Sequence, residues 1–313
     1  MSLTHLVSSE GDASAVGHAM LLAQVLLDGP PEIGFRTFCY TTTPPTETSR
    51  ATSPPPWGSN YNIAGVGVVH DEGRLHTAIL EMASVPTTTI ERLAKSRLHS
   101  VVQGLIRSGV NAMAEARVVR VSEPEFQAAP GNSVSASLNG TAGAQLNWGP
   151  GMDGILTAGH VAKSAGAPAK AGGTAGAVAL SLDPTNHGKT PEADVSVIKL
   201  SAPVPPASRI LGSTTAGPND PVTVNTQGGP VSATIMGLMQ WLWLPKANCT
   251  CGHVYMTTAC VTKKGDSGAP VLKGGSLIGH VIGASVGMMS YIQVFDYQLQ
   301  EIRNRPGFSA AKL

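Results

Sequence analysis

Apolar residues along this chain change their rhythm from one stretch to the next. Near the start, Val16, Met20, Ala23 and Leu27 recur at helical spacing, and Gly29 and Pro30 follow. That spacing predicts a helix from Asp12 to Leu27, with Asp12 as N-cap and the Gly-Pro pair as stop, inside an N-terminal helical segment of residues 1–40. Residues 41–60, TTTPPTETSRATSPPPWGSN, hold almost no aliphatic side chain. So much Pro, Thr and Ser reads as a linker or loop. Within residues 61–129, IAGVGVVH and RLHTAILEM are β-type runs on either side of the turn DEG. Thr88 and Glu91 make a capping box ahead of a stripe of Ile90, Leu93, Leu98, Val101 and Leu105, and ARVVRVSE reads as a further strand. The result is a small α/β module with no catalytic constellation of its own, suited to a packing or propeptide-like role.

From about Pro130 short β runs recur with Gly, Pro, Asn and Asp between them, the signature of a sandwich or barrel. The last periodic piece, YIQVFDYQLQEIR, predicts a strand running into a helix. Composition agrees: 36 Gly and 23 Pro among 313 residues suit a turn-rich β protein. A net charge of +1 gives no footprint for nucleic acid. No apolar run is long enough to predict a membrane helix, and HAMLLAQVLLDG lacks the basic start of a signal peptide. Localisation stays open, with a slight lean to the cytoplasm, and so does oligomeric state. Four cysteines are too few for a disulfide scaffold.

VTKKGDSGAPVL, from Val261 to Leu272, wraps one serine in turn formers. A plain turn accounts for that. So does a nucleophile whose hydroxyl lies beside converging backbone N–H groups. A nucleophilic serine needs a base, and the base needs an orienting acid. GILTAGHVA places His160 after an apolar run and two small residues, and EADVSVIKL places Asp194 at the head of a strand carrying Val195, Val197 and Leu200. Asp183 in LDPTNHG is the rival acid, though turn duty explains it.

Together, LTAGH, ADVSVIKL and GDSGAP resemble the chymotrypsin-like (trypsin-fold) serine protease family, in that family's chain order of His, Asp and Ser. The resemblance covers residues 140–302. GTAGAQL is similar to the first barrel strand, SLIGHVIGA to the substrate-flanking strand, and YIQVFDYQLQEI to the closing strand and helix. The module ahead of it is similar to the α/β extension of some bacterial trypsin-like peptidases. The resemblance implies a mainly β fold, with a two-barrel protease domain over residues 130–313 behind a small α/β module. It implies a serine endopeptidase acting on protein or peptide without a cofactor. Ser267 would attack, His160 would carry the proton, Asp194 would hold the imidazole, and the N–H groups of Gly265 and Ser267 would form the oxyanion hole. An inactive binding module and a viral polyprotein-type protease are the alternatives.

The sequence departs from the family in several places. No activation site of the Arg-Ile-Val-Gly-Gly type precedes the barrel, so Asp266 is expected to pair with a nearby cation or polar group. Val261 stands at the pocket floor, where trypsin-like enzymes carry an aspartate, which argues against basic P1 residues. Thr262 matches the pocket threonine of glutamyl endopeptidases and viral relatives, which leaves acidic, amide or small apolar P1 residues open. Ile282 takes the place of the family's serine on the flanking strand, with Ser285 as a substitute. His280 follows Gly279 directly, one residue off the Gly-x-His of those relatives, so it points away from the pocket unless a bulge corrects the register. Cys249, Cys251, His253 and Cys260 could offer three thiolates and an imidazole to zinc, or simply form a loop and hairpin by the pocket.

Overall fold

A computed structural model describes residues 6, 10–28, 56, 59, 62–82, 116–126, 134–186, 188–202, 210 and 212–313. The expected Thr88–Glu91 helix, Cys39 and all of the 41–60 linker except Pro56 and Ser59 lie outside them. In chain order the described elements begin with α1 (Glu10–Asp28), β1 (Ile63–Asp71), β2 (Arg74–Met82), β3 (Arg117–Val121) and β4 (Glu125–Phe126). Next come β5 (Val134–Ser135), β6 (Asn139–Gly140), β7 (Gln145–Gly149), β8 (Met152–Thr157), β9 (Pro168–Ala171), β10 (Thr174–Leu182), β11 (Gly188–Glu192) and β12 (Val195–Leu200). The chain closes with β13 (Pro221–Thr226), β14 (Gly229–Leu244), β15 (Cys249–Thr257), β16 (Pro270–Lys273), β17 (Ser276–Ser285), β18 (Met289–Val294) and α2 (Phe295–Arg303).

These strands form two sheets. The first runs β6-β5-β9-β10-β12-β8-β7. In the second, β13 to β18 pair in the order β14-β15-β18-β17-β16-β13, and β13 pairs β14 again. Six antiparallel strands therefore close on themselves, which removes their edges. The architecture is the mainly β, chymotrypsin-like one that the motifs imply. β1, β2 and β3 extend the second sheet outward, because β1 pairs with the long β14. α1 packs on β1 and β2.

α1 starts two residues before the expected cap, and its buried face is rotated. Ala15, Val16, Ala19, Leu22, Ala23 and Leu26 are buried, while Met20 is exposed. Small residues on that face let the helix approach the strands closely. Asp12 sits inside the first turn and is buried, accepting the Leu75 N–H at 3.1 Å. This bond satisfies a buried strand amide. Ala15, Val16 and Ala19 share one apolar cluster with Val222, Tyr255 and Val281 of the closed barrel. α2 and the C-terminal segment reach the other way. Phe295, Ile302 and Phe308 pack with Leu146, Leu156 and Val197 of the first sheet, and Lys312 exchanges backbone hydrogen bonds with Asn147.

Trp241 in β14 joins α1 to the barrel: it is buried with Leu22 and Leu26, and its indole N–H donates to the Ala23 carbonyl at 3.0 Å. Trp241→Ala is expected to cost about 3–5 kcal/mol in denaturant unfolding. A cost below about 1 kcal/mol would mean the helix adds nothing to the barrel's core.

Candidate active site

The three residues singled out by their motifs come from both sheets and meet at the seam. β8 ends at Thr157, and His160 stands in the turn that follows. Asp194 directly precedes β12, and Ser267 lies in the loop between β15 and β16. His160 Nε2 is 2.9 Å from Ser267 Oγ. His160 Nδ1 is 2.7 Å from Asp194 Oδ2, and the His160 backbone N–H donates to Asp194 Oδ1 at 2.8 Å. An ionised carboxylate only accepts, so the proton sits on Nδ1 and the Nε2 lone pair faces the serine hydroxyl. Asp183 makes an Asx turn instead, accepting the Thr185 N–H and hydroxyl.

The loop that carries Ser267 is fixed from several sides. Gly265 has φ +110°, a conformation that side chains resist. Its carbonyl accepts the Thr141 hydroxyl at 2.8 Å, and the Ser267 carbonyl accepts the Thr141 N–H at 2.7 Å. Gly268 has φ +89°, and a Cβ there would run into the Thr141 carbonyl. Among the described residues, neither the Gly265 nor the Ser267 N–H donates to a protein acceptor. Asp266 is buried, and its carboxylate accepts the Gln227 N–H at 3.1 Å and the Lys263 N–H at 2.9 Å. Two backbone donors thus hold this carboxylate in place. Thr141 and Gln227 carry no signal in the sequence: GTAG reads only as strand, and nothing near Gln227 marks it as a partner of a residue thirty-nine positions on.

The pocket candidates divide. Thr262 is buried, and its hydroxyl pairs with Ser290 Oγ at 2.8 Å; Val261 donates its N–H to the same Ser290 oxygen at 3.0 Å. Ser290, also missed in the sequence, therefore joins these two. Ile282 is wholly buried in an apolar cluster with Leu242, Met256 and Tyr291. Ser285 Oγ donates to the Ser122 carbonyl at 2.6 Å and pairs with the Tyr291 hydroxyl at 2.7 Å. β4 lies antiparallel on the same strand, Phe126 opposite Gly283 and Glu125 opposite Ala284. β17 is irregular on both sides of His280, between Leu277 and Gly279 against β16 and between Val281 and Gly283 against β18, and the imidazole is buried away from Thr262 and Ser290, against Ala144 and Gln298. His280 accepts the Ala144 N–H at Nε2, at 3.3 Å, and its Nδ1 bonds Gln298 Oε1 at 2.8 Å.

The zinc candidates are not brought together, and no group of three or more ligating side chains occurs among the described residues. Cys249 and Cys251 are buried side by side on β15, and burial pushes the Cys251 thiol well above its usual range, away from the thiolate a metal needs. Cys260 instead donates to the Thr262 carbonyl, and the His253 ring packs on Tyr297.

No protein-family model matches the chain, and no curated protein matches it. Among solved structures, the chain is similar to a Nocardiopsis protease, at 20% identity over 54% of this chain and 93% of that one, with a TM-score of 0.43. A chymotrypsin of Cellulomonas bogoriensis is 23% identical over 54% and 92%, with a TM-score of 0.40. A glutamic acid specific serine protease that uses a histidine triad in substrate binding is 18% identical over 54% and 94%, with a TM-score of 0.43.

Burial pushes the His280 imidazole down from 6.5 to about 4, against the opposing bond to Gln298. The unfolded chain takes up this proton near 6.5, the native one only near 4. Between those values the unfolded state binds more protons, so the group's contribution to stability is complete above 6.5 and is lost as pH falls toward 4. The loss is on the order of 3 kcal/mol. Unfolding free energies across pH 3–8 for the wild type and His280→Gln are expected to show this slope in the wild type alone. Parallel curves would contradict the buried neutral imidazole.

Proposed function

We propose that the chain is a serine endopeptidase. The observation that carries this reading is the unbroken series of hydrogen bonds from Ser267 through His160 to Asp194, at 2.9 and 2.7 Å. Ser267 Oγ attacks the scissile carbonyl carbon while His160 Nε2 takes the hydroxyl proton. The carbonyl oxygen becomes an oxyanion, met by the N–H groups of Gly265 and Ser267. His160 Nε2 then returns the proton to the leaving amine, and the acyl group stays on Ser267. Water then attacks the acyl carbon as it loses a proton to the same nitrogen, the bond to Ser267 Oγ breaks, and His160 returns the proton to that oxygen as the acid leaves. Asp194 holds the Nδ1 proton throughout and steadies the imidazolium.

The paired hydroxyls of Thr262 and Ser290 favour an uncharged polar P1 side chain, since together they donate and accept but carry no charge. An amide such as glutamine fits that chemistry better than lysine or arginine. A substrate strand laid antiparallel on Gly283 and Ala284 meets β4 already there, and Ser267 is fully buried. Glu125 of β4 is tied to Lys246 at 3.0 Å. Substrate binding on that edge therefore requires β4 to yield.

Ser267→Ala is expected to abolish peptide hydrolysis in a chain that keeps its fold, and Asp194→Asn to lower turnover about 10⁴-fold near neutral pH. Near-normal turnover in either variant would sink the reading. Glu125→Lys places like charges where the Lys246 pair now holds β4, and is expected to raise kcat/KM on short peptides several-fold. An unchanged or lower value would mean that β4 does not stand in the substrate's path.

A further inference from the structure

Asp194 stands between the sheets. The chain leaves β11, on the second sheet, at Glu192 and enters β12, on the first, at Val195. Two residues make the crossing. The direction of the Asp194 carboxylate therefore depends on how its own peptide groups are held, and both are held by side chains from the second half of the chain. Gln293 Oε1, in β18, accepts the Asp194 N–H at 2.6 Å. Gln298 Nε2, in α2, donates to the Asp194 carbonyl at 3.3 Å and to Gln293 Oε1 at 3.2 Å. Gln293 Nε2 donates in turn to the carbonyls of Glu192 and Gly252, both at 2.9 Å. With the Ala144 N–H on its Nε2, His280 keeps its proton on Nδ1 and donates it to Gln298 Oε1.

All three side chains are fully buried. Each glutamine engages both its oxygen and its nitrogen, so flipping either amide sets donor against donor or acceptor against acceptor. A buried amide is costly unless it is bonded in this way, and an apolar residue would fill the space without that constraint. None of the three touches Ser267 or His160 in the hydrogen-bond scheme.

We propose that Gln293, Gln298 and His280 are positioning residues, a clamp across the seam that aims Asp194 at His160. The proposal rests on the catalytic reading of Ser267, His160 and Asp194. It goes beyond that reading by assigning three buried residues to the acid's orientation rather than to packing.

Gln293→Met and Gln298→Met keep side-chain length and remove the hydrogen bonds. Each is expected to lower kcat about 10²-fold, the scale of a misplaced catalytic group, with KM within about threefold. In ¹⁵N-histidine protein the Nδ1 proton signal of His160 is expected to shift or broaden in both variants. Trp148→Phe, a core change beside Phe308, is expected to lower the melting temperature and leave kcat and the signal unmoved. Folded Met variants with unchanged kcat and an unmoved His160 signal would overturn the clamp. If neither variant folds, the wild type decides: the Asp194 N–H is expected to exchange with solvent only through global unfolding. Faster exchange overturns the proposal. The two spectroscopic readouts need no turnover. A wild type that hydrolyses nothing would remove the endopeptidase reading and still leave the clamp to be judged by them.

Discussion

A carboxylate taken out of water is tolerated only when donors reach it, and His160 supplies two to Asp194 while side chains from the other half of the chain hold its peptide. It is wholly buried at the two-residue crossing from β11 to β12. The first half supplies the backbone N–H and the Nδ1–H of His160. The second half holds the aspartate's own peptide through Gln293 and Gln298. Losing the first set leaves a buried charge short of partners, which costs several kcal/mol, and losing the second leaves a buried peptide group unsatisfied. The two sheets are thus bound at this point to one relative placement, and that placement puts Ser267 Oγ within hydrogen-bond reach of the imidazole.

The same cross-seam logic governs the loop that carries Ser267. Thr141, from the first half, bonds backbone groups on both sides of Asp266. Asp266 in turn is satisfied by the N–H groups of Gln227 and Lys263. The loop keeps its shape through these bonds, with the Gly265 and Ser267 N–H groups left over. In the endopeptidase we propose, these two groups would meet the oxyanion without reorganisation when charge appears. β4 on the edge of β17 and the buried serine set a separate condition, access, which the chemistry itself does not control.

Much of this is legible in the sequence. LTAGH, ADVSVIKL and GDSGAP pointed to residues that do meet, because each motif couples a special residue to a local backbone need: a small pair before the histidine, a strand start after the aspartate, glycines around the serine. The strand-to-helix passage at the C-terminus was legible for the same reason, as its hydrophobic period changes within a few residues. What stayed hidden depends on long-range register. Met20 fits the helical stripe but faces out, because the face that packs is chosen by β1 and β2 and not by spacing alone. Thr141, Gln227, Ser290 and Gln293 are ordinary residues on turns or strands, and only the pairing of distant strands gives them partners. Alternation leaves the direction of His280 open to a bulge, and its partners depend on the irregular pairing of β17 and on α2 being in place.

We propose Ser267 as a nucleophile activated through His160 by Asp194, and reaction of the whole chain with a small fluorophosphonate, followed by peptide mass mapping, decides it. One adduct is expected, on Ser267, formed far more slowly in Asp194→Asn. An adduct on a different serine, no adduct at all, or equal labelling rates in the two proteins would contradict it.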